Sequence, residues 1–243
     1  MTYNLNYFQF NEFSILINWP ENIDENILQD IINYKNNIEN NYFKQKVEAI
    51  SAYNSLLIVY NNTIDNINDR FNELKALYYS ENTVKNTNPL IWKIPVCYDA
   101  KFGIDLEQFS KEKKLSKTNV ISLHSDPVYT VYFIGFLPGF LYLGGLSDKL
   151  FLDRKITPNL NVKKGSVAIG GQQTGIYPQD SPGGWHVIGN SPIQLFNANN
   201  TQPCVIKPGD KVKFIPVAKQ EYDEILDLVN NSNYQLKPFS TNA

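Results

Sequence analysis

Side chains suited to metal or phosphate chemistry are scarce. The 243 residues include two cysteines (Cys97 and Cys204), two histidines (His124 and His186) and two arginines (Arg70 and Arg154). The cysteines lie far apart, form no CxxC pair and each sits in an apolar run, so Cys and His spacing assembles no metal site. They read as buried free thiols of a reducing cytosol. Charge is also thin: 19% of residues are charged and the net charge is −2. The longest basic run, Lys111-Glu112-Lys113-Lys114, reads as the solvated end of a helix, which argues against nucleic acid or an anionic membrane as partner. No apolar run reaches the roughly 18 residues of a membrane helix, and the first residues lack the basic and apolar regions of a signal peptide. The expectation is a cytoplasmic protein. No GxxxxGK[ST] loop or GxSxG elbow occurs, because Lys163-Lys164-Gly165-Ser166 has phosphate-loop residue types in the wrong order.

Apolar side chains are plentiful, at 42% hydrophobic and 13% aromatic, with 15 Tyr and 14 Phe. Residues 1–85 alternate strand and helix signals. Residues 7–10 and 14–17 form short apolar runs around Asn11-Glu12, a hairpin pattern. Asn22 to Glu25 supply a cap and first-turn acids, and Ile27, Ile31 and Tyr34 follow at helical spacing. Strands at 47–50 and 56–60 precede a second helix carrying Ile64, Ile67, Phe71, Leu74 and Leu77. This order predicts a small α+β domain, an antiparallel sheet with helices on one face.

Residues 79–88 are polar and precede Pro89, which places a second domain at 86–243. It opens with an apolar run at 90–96 whose Pro95 suggests an edge strand, then two short helices at 105–113 and 116–124. Strand signals at 128–134, 166–169, 173–177, 185–188, 193–196, 204–206 and 211–214 are separated by Gly and Pro. That punctuation predicts a mainly-β barrel, closed by the strand at 212–216 and followed by an amphipathic helix at 218–229.

Three Gly/Pro-rich segments could frame a pocket. In the first, Pro138-Gly139 favours a type II turn, which would hold Phe136, Phe140 and Tyr142 on a rigid loop. In the second, residues 165–178, Gly171 sits between two strands, with Gln173, Thr174 and Tyr177 offering amide and hydroxyl groups beside it. The third is Ser181-Pro182-Gly183-Gly184-Trp185. Arg154 is the one arginine near them in sequence and could pair locally beside Asp153 or bind a carboxylate. Together they predict a binding pocket whose bends at 138, 171 and 183 converge. His124, before Ser125-Asp126 at a helix end, is a weak candidate for acid–base catalysis, and contact with the helix dipole is the plainer account. His186 reads as a surface residue.

Phe133 to Tyr142 (FIGFLPGFLY), Gly165 to Pro178 (GSVAIGGQQTGIYP), Ser181 to Trp185 (SPGGW) and Lys207-Pro208-Gly209-Asp210 resemble the family of 5-oxoprolinase B-type subunits, of carboxyltransferase C/D type. That family includes the kinase inhibitor KipI and was long known as allophanate hydrolase subunit 1. The resemblance implies an α+β N-terminal domain and a cyclophilin-like β-barrel. It implies a direct complex with a C-type subunit, partnership with an A-type subunit, and ATP-driven opening of 5-oxoproline to glutamate. ATP, with Mg, would be a co-substrate, and no tightly bound cofactor is implied. It also allows inhibition of a sensor histidine kinase, or a purely structural role beside the C-type subunit. Where the family carries two Pro-Arg pairs, this chain has Asp153-Arg154 and Pro158-Asn159; where the family reads Ile-Gly-Arg-Thr-Pro, it has Ile188-Gly189-Asn190-Ser191-Pro192. Two arginines are thus absent, at Asn159 and Asn190.

Overall fold

The computed structural model describes residues 2–41, 47–80 and 88–239. The chain divides into two compact units, Met1–Asn88 and Pro89–Ala243. The boundary expected at 85/86 falls within 81–87, outside the described residues.

The first unit runs β1 (Asn6–Asn11), β2 (Ser14–Asn18), α1 (Glu25–Asn41), β3 (Glu48–Ser51), β4 (Ser55–Val59), α2 (Ile67–Tyr79). Its antiparallel sheet has the order β1-β2-β4-β3. Strand alternation sends Ile15 and Ile17 of β2 and Leu56 and Ile58 of β4 into one core with Ile27, Ile31 and Ile38 of α1 and Leu74 of α2. Each helix starts where a side chain satisfies its orphan amides. Asp24 Oδ1 accepts from the Asn26 and Ile27 N–H groups at 2.7 and 3.2 Å, and Asn66 accepts from those of Asn68 and Asp69. Such caps contribute about 1 kcal/mol each. Trp19 Nε1 and the Tyr78 hydroxyl both donate to Asp30 Oδ2, at 2.7 and 2.6 Å, tying β2's end to both helices.

The second unit contains β5 (Ile91–Val96), α3 (Leu106–Lys113), α4 (Lys117–Ser125), β6 (Tyr129–Ile134), β7 (Leu141–Gly144), β8 (Asn159–Val162), β9 (Ser166–Gly170), β10 (Gln173–Ile176), β11 (Ser181–Gly183), β12 (His186–Asn190), β13 (Lys211–Pro216), α5 (Lys219–Asn230) and β14 (Pro238–Phe239). The main sheet has the order β12-β9-β10-β7-β6-β13-β5-β14, and β8 pairs with β11 as a separate two-stranded arm. The sheet curls until its far members meet. Cys97 N–H donates to Asn190 O at 2.8 Å and Asn190 N–H to Cys97 O at 2.9 Å, closing a barrel between the end of β5 and β12. At this seam a side chain on Gly189 would strike Cys97 O at 2.9 Å, so the strands meet only because that residue is glycine. Inside lie Val96, Val131, Leu143, Ile169, Ile188 and Phe214, all fully buried.

Three expectations need correcting. Strand β13 does not close the barrel; it lies within the sheet, parallel to β5 and antiparallel to β6. Nor is β5 a free edge, since β13 pairs along its length and β14 reaches Ile91 and Trp92. Pro95 lies beyond the end of β14, where a missing donor interrupts no bond to that strand. Residues 193–196 and 204–206, expected as strands, enter no ladder.

Candidate functional site

The site grows from the loop between β6 and β7. Leu137 O accepts the Phe140 N–H at 2.9 Å and Gly139 has φ +86°, which makes Pro138-Gly139 the centre of a type II turn. Phe136 holds φ +64°, a left-handed conformation that bulky residues rarely adopt, and leaves its ring 62% exposed. Phe140 is buried and Tyr142 follows two residues later, so strand period puts both on one face. Trp185, just before β12, packs against both, with ring centroids 5.4 and 6.3 Å away. Tyr177, just past β10, meets Phe140 at 5.3 Å and Phe136 at 6.4 Å. Two glycines permit this stack: a Cβ on Gly170 would lie 2.4 Å from the Trp185 indole, and one on Gly183 would lie 2.2 Å from the Tyr177 hydroxyl.

These rings form a hollow of about 250 Å³ whose wall is completed by Pro158, Pro182, Gly183 and Gly184. Among the described residues Arg154 brings the hollow's only formal charge, its guanidinium 5.8 Å from the Trp185 ring centroid. Lys155 anchors that loop: its N–H donates to Gly184 O at 2.7 Å and its ammonium pairs with Asp105 Oδ2 at 2.6 Å. Asp105 Oδ2 also accepts the Val187 N–H at 2.7 Å. Among the described residues Arg154 makes no ion pair or hydrogen bond, so its donors are available to a ligand. Burial pushes the Tyr142 and Tyr177 phenols above their ordinary range, opposed at Tyr177 first by the Trp185 backbone N–H and at both by the Arg154 charge, leaving both protonated at neutral pH. A planar or cyclic ligand with one anionic group suits such a surface, by ring contact and a bidentate pair.

Of the residues the sequence singled out, the structure brings Phe136, Phe140, Tyr142, Arg154, Tyr177, Gly183, Gly184 and Trp185 together around the hollow. Pro138 and Gly139 shape the loop without lining it; a Cβ on Gly139 would lie 2.7 Å from that of Phe196. The bend at 171 does not converge with the other two. Gly171 turns the β9–β10 hairpin, and its N–H donates to Leu152 O at 2.7 Å. Gln173 lies on β10 away from the hollow, and Thr174 points into the barrel, where its hydroxyl donates to Ala168 O at 3.0 Å. Pro182 joins the wall from the third segment, whereas Pro158 lies outside all three and its place there was not foreseen.

His124 is no acid–base group at this surface. It is fully buried, its Nδ1 2.7 Å from the Tyr98 hydroxyl and its Nε2 2.8 Å from Thr174 Oγ1, and it stacks on Phe214 at 4.6 Å. Burial lowers its pKa to about 3, so the ring is neutral and locks α4 to the barrel. His186 Nε2 lies 2.9 Å from Asp153 O, beside the Arg154 loop. Of the two positions without arginine, Asn159 pairs with Gly183 across the small arm, next to the hollow. Asn190 is buried at the barrel seam, accepting from the Tyr222 hydroxyl at 2.8 Å and donating to Lys164 O at 2.9 Å. The missing arginine there is no loss to the hollow. No group of three His, Cys, Asp or Glu side chains among the described residues could hold a metal ion, and no helix among them is long and apolar enough to cross a membrane.

Residues 5–206 match the carboxyltransferase domain family, subdomain C and D. The B-type subunit of the Bacillus subtilis 5-oxoprolinase is 34% identical over 233 residues, covering 91% of this chain and 97% of that protein. The chain belongs to the family of 5-oxoprolinase B-type subunits. Among solved structures, the TTHA0988 protein is 30% identical with a TM-score of 0.73, over 84% of this chain. This chain spans 40% of that structure's length. The Kluyveromyces lactis urea amidolyase shares the fold at a TM-score of 0.81 and 19% identity, over 98% of this chain and 16% of that enzyme. On this 5-oxoprolinase-type barrel the aromatic hollow lies beside the β8–β11 arm, which contributes Gly183 and Pro182 to its wall.

Proposed function

We propose that this chain is the B-type component of a cytoplasmic, ATP-dependent 5-oxoprolinase, assembled with a C-type subunit and working with an A-type subunit. Its part is to hold 5-oxo-L-proline in the aromatic hollow. The observation that carries this reading is the unpaired Arg154 guanidinium beside Trp185, in a chain 34% identical to a B-type subunit of 5-oxoprolinase. The substrate's single carboxylate would take a bidentate pair from Arg154, and its flat five-membered ring would lie against the aromatic wall. The hollow, at about 250 Å³, is below the roughly 300–1,000 Å³ of drug-sized sites and suits a small ring better than a nucleotide.

A five-membered lactam is a poor electrophile. Phosphorylation of its carbonyl oxygen by ATP makes the ring carbon open to water; the ring C–N bond then breaks and phosphate leaves, giving glutamate. One cation does not match a triphosphate, and the sequence carries no phosphate loop, so ATP and Mg are assigned to the partner subunits. The isolated chain is therefore inactive. The test is co-expression with A- and C-type subunits, measuring glutamate and ADP released from 5-oxoproline plus ATP. Activity is expected only with all three, and equal activity without this chain would refute the reading.

A further inference from the structure

A second concavity lies on the same unit, larger than the first and of different chemistry. It encloses about 370 Å³ between the stretch 193–205 and the segment that follows α5. Its floor is apolar, with Ile193, Leu195 and Leu236, and its walls carry the amides of Gln194, Asn197 and Gln235. None of the described residues that line it is Asp, Glu, Lys, Arg or His, so among them neither a nucleotide nor the 5-oxoproline carboxylate meets a counter-charge.

The backbone of this groove is unusual. Residues 193–196 and 204–206 have the composition of strands but join no ladder. Among the described residues, the N–H groups of Gln194, Leu195, Val205 and Leu236, which line the groove, and of Phe196 and Ile206 next to them in sequence have no protein acceptor. Leu195 and Ile206 are nonetheless buried, at 5% and 1% exposure. Buried backbone donors are paired in more than about nine cases in ten. Strand-forming sequence with free donors on both walls of an uncharged groove is the arrangement that accepts an added strand.

We infer that the groove takes an extended, uncharged segment of another polypeptide of the assembly, adding as a strand between 193–206 and 234–236. Main-chain hydrogen bonds give it affinity, the apolar floor receives alternate side chains, and the absence of charge rejects acidic or basic segments. The inference rests on the reading of this chain as part of a 5-oxoprolinase for the source of that segment. A free neutral solute would fill the groove without needing a second chain, and the experiment separates the two.

The test is backbone hydrogen exchange on the full chain, alone and co-purified with the A- and C-type subunits. In the complex the amides of Gln194, Val205 and Leu236 should slow by about tenfold or more, and in the isolated chain they should exchange as exposed amides. Val205→Pro removes a donor that makes no internal bond, and Val205→Lys puts a charge in the groove while keeping the donor. Both should weaken assembly by about tenfold or more with little change in melting temperature. A complex that forms without protecting these amides, or that tolerates Val205→Lys, overturns the groove and leaves the proposed function standing. Protection already present in the isolated chain also overturns it. Failure of any complex to form refutes both.

Discussion

Gly170→Ala tests whether the hollow is held by packing. The new methyl would sit 2.4, 2.5 and 2.6 Å from Cδ1, Cγ and Nε1 of Trp185. The indole can yield only into the hollow it lines, since Phe140 and Tyr142 pack against it, so relieving the clash disturbs the stack. Over-packing of this kind costs about 1–3 kcal/mol. For a chain of this size each kcal/mol lowers the melting temperature by about 2–4 °C, so a fall of about 2–12 °C is expected. Gly184→Ala is the matched control: the nearest atoms to its methyl are at 3.7 and 3.8 Å, ordinary contact distances, and its effect should stay within about 0.5 kcal/mol. Both lie beside the same tryptophan and differ only in the space available. Thermal unfolding followed by near-UV dichroism reads the aromatic stack directly. Equal melting of the two variants would refute the packing argument.

Because burial holds the His124 pKa near 3, the unfolded chain takes up a proton below about pH 6.5 that the folded chain refuses. Stability should therefore fall with pH across that window, by up to about 1.4 kcal/mol per unit, and His124→Gln should flatten the slope in urea titrations at stepped pH. Asn190→Ala leaves the Tyr222 hydroxyl and Lys164 carbonyl without their partner. It should cost about 1–3 kcal/mol in chemical denaturation and leave the KM for 5-oxoproline unchanged, because the residue lies at the seam. Lys155→Met removes the pair with Asp105 that anchors the Arg154 loop, and should raise KM more than it lowers kcat in steady-state assays of the complex.

The first unit was legible residue by residue because its signals are local. Helical spacing of Ile27, Ile31 and Tyr34 and alternation in β2 and β4 each point to one face, and that face is the core. The barrel was legible as a class but not in its closure, which depends on two main-chain bonds between Cys97 and Asn190 that leave no side-chain pattern. Strands β8 (NLNV) and β11 (SPG) escaped for a similar reason: neither has an apolar alternation to read. In the site, turn chemistry was readable at Pro138-Gly139 because φ preference belongs to the residue. Gly171 carried the same signal, yet its turn faces Leu152, since a hairpin's direction is set by the whole sheet. Thr174 shows the cost of reading polarity without register: its hydroxyl serves Ala168 and His124 inside the barrel.

Steady-state kinetics of the assembled complex carrying Arg154→Gln most directly tests the claim that this hollow holds the substrate carboxylate. Loss of a charged hydrogen-bond pair worth about 1.5–3 kcal/mol predicts a rise in KM for 5-oxoproline of about 10- to 150-fold, with the KM for ATP unchanged. An unaltered KM for 5-oxoproline in a complex that still assembles would contradict it.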